Sequence, residues 1–192
     1  GLVQEFGATV SVELHPMLAH DIKGTLLFAR RYYSLCRSHF LIKVPLTPDG
    51  YLAVRALSAE WIPVNYTLGF SARQNYLAAA FSRPRYVNVF LGRLNSVVVD
   101  NGLGDGKYVG ERATVASQRG LLKARHRFTE VPTLQIAASM RAGQQVADLA
   151  GVDVLTMPPK AAEEFLNLKI APEQIRSQVD RDFGVSLQGG KS

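Results

Sequence analysis

Six short stretches carry apolar side chains at alternate positions or in nearly continuous series, at about 9–15, 40–47, 61–70, 85–93, 133–139 and 153–159. Between them apolar residues recur every three or four positions, the helical period. The segment near 17–38 places Leu18, Ile22, Leu26, Ala29, Tyr33 and Cys36 on one stripe and is expected to bury it. A second helix follows the cap signal Thr47-Pro48-Asp49. A third starts at Ser71 with Gln74 as its capping-box partner and is expected to bury Leu77, Ala80 and Phe81. Another spans about 111–128, and its basic end, Lys123 to Arg127, reads as a solvated face. Strands alternating with helices predict βαβ units and a parallel sheet, an α/β fold.

The polar positions sharpen this picture. Thr9, Ser11, Glu13 and His15 share one face of the first strand, and Asn65 and Thr67 one face of the third. Asn88 and Phe90 share a face of the fourth, as do Thr133, Gln135, Ala137 and Ser139 of the fifth. Parallel strands covered on both faces should be apolar throughout. One polar parity per strand instead predicts a barrel, apolar toward its helices and polar toward its centre, with a site at the C-terminal strand ends.

Lys43 is the one charged residue in the run Phe40 to Leu46. Burial in a doubly covered strand would lower its pKa and supply the neutral amine that Schiff-base chemistry requires. The alternative is an edge-strand lysine whose stem lies on apolar surface while its ammonium reaches water.

Composition narrows the class. The chain has 192 residues, enough for one domain with a sizeable core, and 47% are hydrophobic against 20% charged. No run reaches membrane-spanning length, so a cytoplasmic protein is expected. Cys36, the single cysteine, lies on the helical stripe and allows neither an intrachain disulfide nor a thiolate cluster. The net charge of +6 would suit nucleic acid, but the basic residues are scattered and fit a phosphorylated metabolite better. The segment 94–110, with four glycines, reads as a long loop over the barrel mouth. Gly102-Leu103-Gly104-Asp105-Gly106 has the wrong spacing for a dinucleotide fingerprint, and Gly189-Gly190-Lys191-Ser192 lacks the earlier glycine of a phosphate loop. Residues 171–192 are expected to form a short helix and a flexible tail beyond a barrel domain over 1–170.

Five segments in order resemble the transaldolase family of lysine-dependent (β/α)8 aldolases. They are Val12-Glu13, Leu41-Ile42-Lys43, the run Val64 to Gln74, Phe90-Leu91-Gly92-Arg93, and Ala138-Ser139-Met140-Arg141. The resemblance implies a pentose-phosphate-pathway enzyme, free of metal and cofactor, that moves a dihydroxyacetone unit from a ketose phosphate to an aldose phosphate. Lys43 would form the iminium, and Glu13 would move protons through a water held partly by Thr67. Asn65 and Asn88 would contact the intermediate, and Arg93, Ser139 and Arg141 would bind phosphate. Glu13 with Phe90 looks like the transferase branch rather than fructose-6-phosphate aldolase, the nearest alternative. A non-catalytic sugar-phosphate binder or assembly subunit is the alternative of a different class.

The resemblance covers only the family's strands three to eight. The acidic residue of its first strand and the T-N-P setting of its second have no counterpart here, and residues 1–8 are too short to supply them. An N-terminal segment or a second chain would complete the barrel, or the member is degenerate. Homo-oligomer formation is expected of exposed strand edges.

Overall fold

In the computed structural model, residues 1–128 and 131–188 are described, and the Gly189–Ser192 ending lies outside them. Six parallel strands, β1 (Val10–Glu13), β2 (Phe40–Pro45), β3 (Val64–Thr67), β4 (Tyr86–Phe90), β5 (Leu134–Ala138) and β6 (Val154–Leu155), form one sheet in sequential order. The sheet curls into a half-barrel, with β1 and β6 as its edges. Helices α1 (Leu2–Phe6), α2 (Ile22–Leu35), α3 (Pro48–Ala59), α4 (Ala72–Leu77), α5 (Leu91–Asp100), α6 (Val109–Arg127), α7 (Gly143–Asp148) and α8 (Pro159–Asn167) surround it.

Local chemistry sets the helix starts. The Asp21 side chain accepts the Gly24 N–H at 2.9 Å, and Thr47 Oγ1 accepts the Gly50 N–H at 3.0 Å, each satisfying a donor that the first turn leaves open. Ser71 Oγ accepts from the Gln74 N–H, while Gln74 Oε1 accepts from the Phe70 N–H at 3.1 Å. Beyond that cap the helix turns differently from expectation. Leu77 is 52% exposed, and the buried face carries Asn75, Ala78, Ala79 and Ser82. A wide turn over Ala78–Ser82, closed by the Arg83 N–H on the Ala78 carbonyl, adds a residue and rotates the following side chains.

Strand parity places the core. Ile42, Val44, Val64, Tyr66 and Val87 face the helices in one apolar cluster, and Val89 and Ala137 do so in another, which Leu149 and Phe183 join from outside the sheet. Leu57 is fully buried within the first cluster, so Leu57→Ala would cost about 2–5 kcal/mol. Of the expected stripe only Ala29 is fully buried, and the other buried residue of α2 is Thr25, which is not among the residues expected on that stripe.

Three expectations change. The segment 94–110 is not one loop, because β4 runs straight into α5, whose Leu91 and Val98 are buried seven residues apart; only 101–108 remain between helices. The basic end of α6 is not wholly solvated. Arg125 donates from Nε and Nη2 to the Thr133 carbonyl at 3.0 and 2.8 Å and pairs with Asp153. Residues 172–188 contain one 3-10 turn, Pro172–Gln174, rather than a helix, and then dock. Gln178 N–H bonds the Ala150 carbonyl, Arg181 pairs with Asp148 at 2.8 Å, and Phe183 is buried against Tyr108.

Candidate functional site at the C-terminal strand ends

Parallel register aligns Glu13 with Lys43 and Lys43 with Asn65, so three polar side chains form a row across β1, β2 and β3. Paired residues in a parallel ladder project to the same face. Lys43 Nζ donates to Glu13 Oε2 at 3.1 Å. The lysine side chain is 25% exposed and the carboxylate 56%, a wetter setting than a doubly covered strand, because β1 is the sheet edge. Thr67 lies two residues beyond Asn65 on the same face and is buried.

Asn65 is held from both sides. Its Nδ2 donates to Ser11 Oγ at 3.1 Å, and its Oδ1 accepts from Asn88 Nδ2 at 3.3 Å. The same Asn88 nitrogen donates to the Tyr66 carbonyl, and Asn88 Oδ1 accepts the Gly69 N–H at 3.4 Å. Both ends of the Asn88 amide are therefore engaged within the protein. Behind it, Asn75 Nδ2 reaches the Asn88 carbonyl at 3.1 Å and Ser117 Oγ at 2.8 Å. Burial raises the pKa of the Tyr66 phenol, whose hydroxyl donates to the Gly50 carbonyl at 2.9 Å.

The fifth strand departs from the expected parity. Asn88 pairs with Ile136, so Leu134, Ile136 and Ala138 face the inner side, while Thr133, Gln135 and Ala137 face the helices. Gln135 is fully buried there, accepting from Ser117 Oγ at 2.5 Å, and Thr133 Oγ1 donates to the Pro84 carbonyl at 2.7 Å. Gln135 serves helix packing and Thr133 ties together the segments that lead into β4 and β5, and in sequence both look the same as a polar inner face.

The cationic part sits just beyond β4 and β5. Arg93 lies in the first turn of α5, exposed and without a hydrogen bond or ion pair among the described residues. Ser139 turns the chain with φ 64°, a conformation that costs a non-glycine residue about 1–2 kcal/mol. Arg141 is brought against the start of α5. Its Nη1 donates to Ser96 Oγ at 2.7 Å, and its Nε would lie 3.0 Å from a Cβ at position 92, where the Ser139 carbonyl would also collide. Gly92 thus permits this approach. A cavity of about 370 Å³ opens beside Arg141, bordered by Gly92, Asn95, Ser96 and Gln145. A larger cavity, about 940 Å³, lies at the opposite ends of the strands, around Trp61, Pro63, Arg85 and Pro132, and contains none of these site residues.

The structure thus brings Glu13, Lys43, Asn65, Thr67 and Asn88 onto one inner face and sets Arg93, Ser139 and Arg141 at adjoining turns. Sequence reasoning missed Ser11, Gly69, Asn75 and Ser96. Each is a common residue type whose role depends on a partner between about 13 and 54 positions away.

Residues 3–188 match the family described as Transaldolase/Fructose-6-phosphate aldolase. A probable transaldolase of Kosmotoga olearia is 35% identical over 153 residues, which cover 79% of this chain and 63% of that protein. One from Nitrosopumilus maritimus is 38% identical over 130 residues, 66% of this chain and 51% of that protein. A transaldolase of Chlamydia pneumoniae is 27% identical over 185 residues, 93% of this chain and 55% of its own length. The chain therefore spans between about half and two thirds of these relatives, and it belongs to the transaldolase/fructose-6-phosphate aldolase family.

Proposed function

We propose that this chain carries the reactive half of a transaldolase, transferring a dihydroxyacetone unit from a ketose phosphate to an aldose phosphate. The observation that supports this most is the register pairing of Lys43 with Glu13 at 3.1 Å, beside Asn65 and below two basic turns. In this reading the Lys43 amine attacks the ketose carbonyl, and loss of water gives an iminium. Cleavage of the adjacent C–C bond sends the C4 hydroxyl proton to Glu13 through a water near Thr67 and leaves an enamine on Lys43. The enamine then attacks the acceptor aldehyde, and hydrolysis releases the longer ketose. Arg93, Ser139 and Arg141 bind the phosphate through charge-assisted hydrogen bonds.

The open β1 edge supports a partner in this reading, either an additional strand-bearing segment or a second chain that pairs with it and covers the half-exposed Glu13. The experiment that tests the function supplies fructose 6-phosphate labelled with ¹³C in its first three carbons, together with an aldose phosphate acceptor. A transferase moves the label into a new ketose phosphate, an aldolase releases it as free dihydroxyacetone, and a non-catalytic binder does neither. Label retained in fructose 6-phosphate by the fully assembled protein would overturn the enzymatic reading.

A further inference from the structure

Among the described residues, one carboxylate is buried without a cation. Glu111, in the first turn of α6, is 3% exposed and forms no ion pair among the described residues. Its oxygens accept from Asn95 Nδ2 at 3.0 and 3.4 Å and from Gln145 Nε2 at 2.7 Å. Both amides are committed at their other ends. Asn95 Oδ1 accepts the Gly110 N–H at 2.7 Å, and Gln145 Oε1 accepts the N–H groups of Arg141 at 2.7 Å and Ala142 at 3.2 Å.

The direction of every bond in this chain is therefore fixed by peptide N–H groups. Two amides whose carbonyls are taken by the backbone can offer only NH₂ to position 111, so the residue there must accept on both sides. A carboxylate does this, whereas a carboxamide would set NH₂ against NH₂ on one side. The N-terminal end of the 19-residue α6 favours the negative charge.

Glu111 on α6 joins the two regions that carry the basic groups, α5 and the turn leading into α7. Asn95 follows Arg93 by two residues on α5, and Gln145, on α7, follows by four the Arg141 of the preceding turn. Asn95 and Gln145 also border the 370 Å³ cavity beside Arg141. We propose that Glu111 is a positioning residue for an organic phosphate held by Arg93 and Arg141, an inference that rests on the phosphate site proposed above. It locks the start of α5 to the turn after β5 while pairing with neither guanidinium. A carboxylate salt-bridged to Arg141 would compete with the incoming anion, and one that grips only neutral amides leaves the positive charge for the ligand.

Calorimetric titration with inorganic phosphate and with fructose 6-phosphate tests this in the native chain, Glu111→Gln, and the double variant Glu111→Gln/Gln145→Glu. The double variant restores a full set of bonds, because a carboxylate at 145 accepts the Arg141 and Ala142 N–H groups and the carboxamide NH₂ at 111. The carboxamide carbonyl at 111 then accepts from Asn95. Glu111→Gln is expected to weaken phosphate-ester binding by about ten-fold and the double variant to recover most of it. Thermal unfolding of all three separates positioning from bulk stability. Native-like affinity in Glu111→Gln, or a double variant that recovers stability but not affinity, overturns the inference. If the native chain binds neither ligand, the phosphate site itself falls, a result distinct from the other two.

Discussion

The middle of the sheet and its β1 edge hold their polar groups in opposite ways. On β3 and β4 the inner-face Asn65, Thr67 and Asn88 are buried, and Asn65, Asn88 and, behind them on α4, Asn75 each have more than one partner. At the edge, Glu13 and Lys43 share one ion pair, with the carboxylate more than half exposed. The difference separates framework from chemistry. Amides that fix geometry are held by several partners, while the two groups proposed to exchange protons and bonds are free to move and to lose each other as a partner.

Gly69→Ala attacks the framework directly and should have the largest effect. A Cβ there would run into the Asn88 carbonyl and lie 3.0 Å from Asn75 Oδ1, a buried acceptor with no hydrogen-bond donor among the described residues. Backbone would have to shift, at a cost of about 3 kcal/mol, visible as a lower denaturant midpoint. An unchanged midpoint would mean that β3 and β4 are not locked as described.

Next in size are the basic turns. Arg141→Ala and Arg93→Ala should each raise the KM for phosphorylated substrates by about ten-fold or more, since a charge-assisted hydrogen bond contributes roughly 1.5–3 kcal/mol. Unphosphorylated dihydroxyacetone should be little affected. Equal KM values across both variants would move the phosphate elsewhere.

The far edge of the sheet gives a smaller, pH-dependent effect. Asp153 joins β6 to its neighbours, pairing with Arg125 and accepting the Gln135 N–H at 2.8 Å. Burial pushes its carboxyl pKa up, but the Arg125, Gln135 and Gln118 contacts outweigh that and hold it below the ordinary value. A depressed folded-state pKa means stability that is present above the unfolded value, near 4, and is lost as pH falls through the folded one. Asp153→Asn should therefore flatten the loss of stability on acidification below about pH 4. An identical acid-unfolding curve would remove this clip from the account.

Glu13→Gln should have the smallest effect on stability, within about 0.5–1 kcal/mol, because an exposed ion pair contributes little. Its effect on turnover should still be severe, and that contrast separates the edge from the framework. A stability loss as large as that of Gly69→Ala would erase the distinction.

Much of this fold was legible in the sequence because short apolar strands alternate with helical periods and α2, α3 and α4 each start at a side-chain cap. The limits of the strands were less so. The run 153–159 shrinks to Val154–Leu155, since Pro158 and Pro159 cannot donate to a ladder. Helix α5 was hidden by its β-branched run Val97-Val98-Val99 and by starting directly at the end of β4. Among site residues, those carried by ordered motifs could be named. Gln135 could not be placed, because a polar residue bonded between helices has the same periodicity as one facing a cavity. Glu111 gave no signal at all: in sequence it is a charge near a helix start, and only tertiary packing removes it from water.

The central claim is that Lys43 is the nucleophile, and borohydride trapping tests it most directly. The fully assembled protein incubated with fructose 6-phosphate and then reduced should gain the mass of one dihydroxyacetone unit or intact ketose on the peptide containing Lys43, and Lys43→Met should gain none. Absence of an adduct in the assembled native protein, or equal labelling of Lys43→Met, would contradict the account.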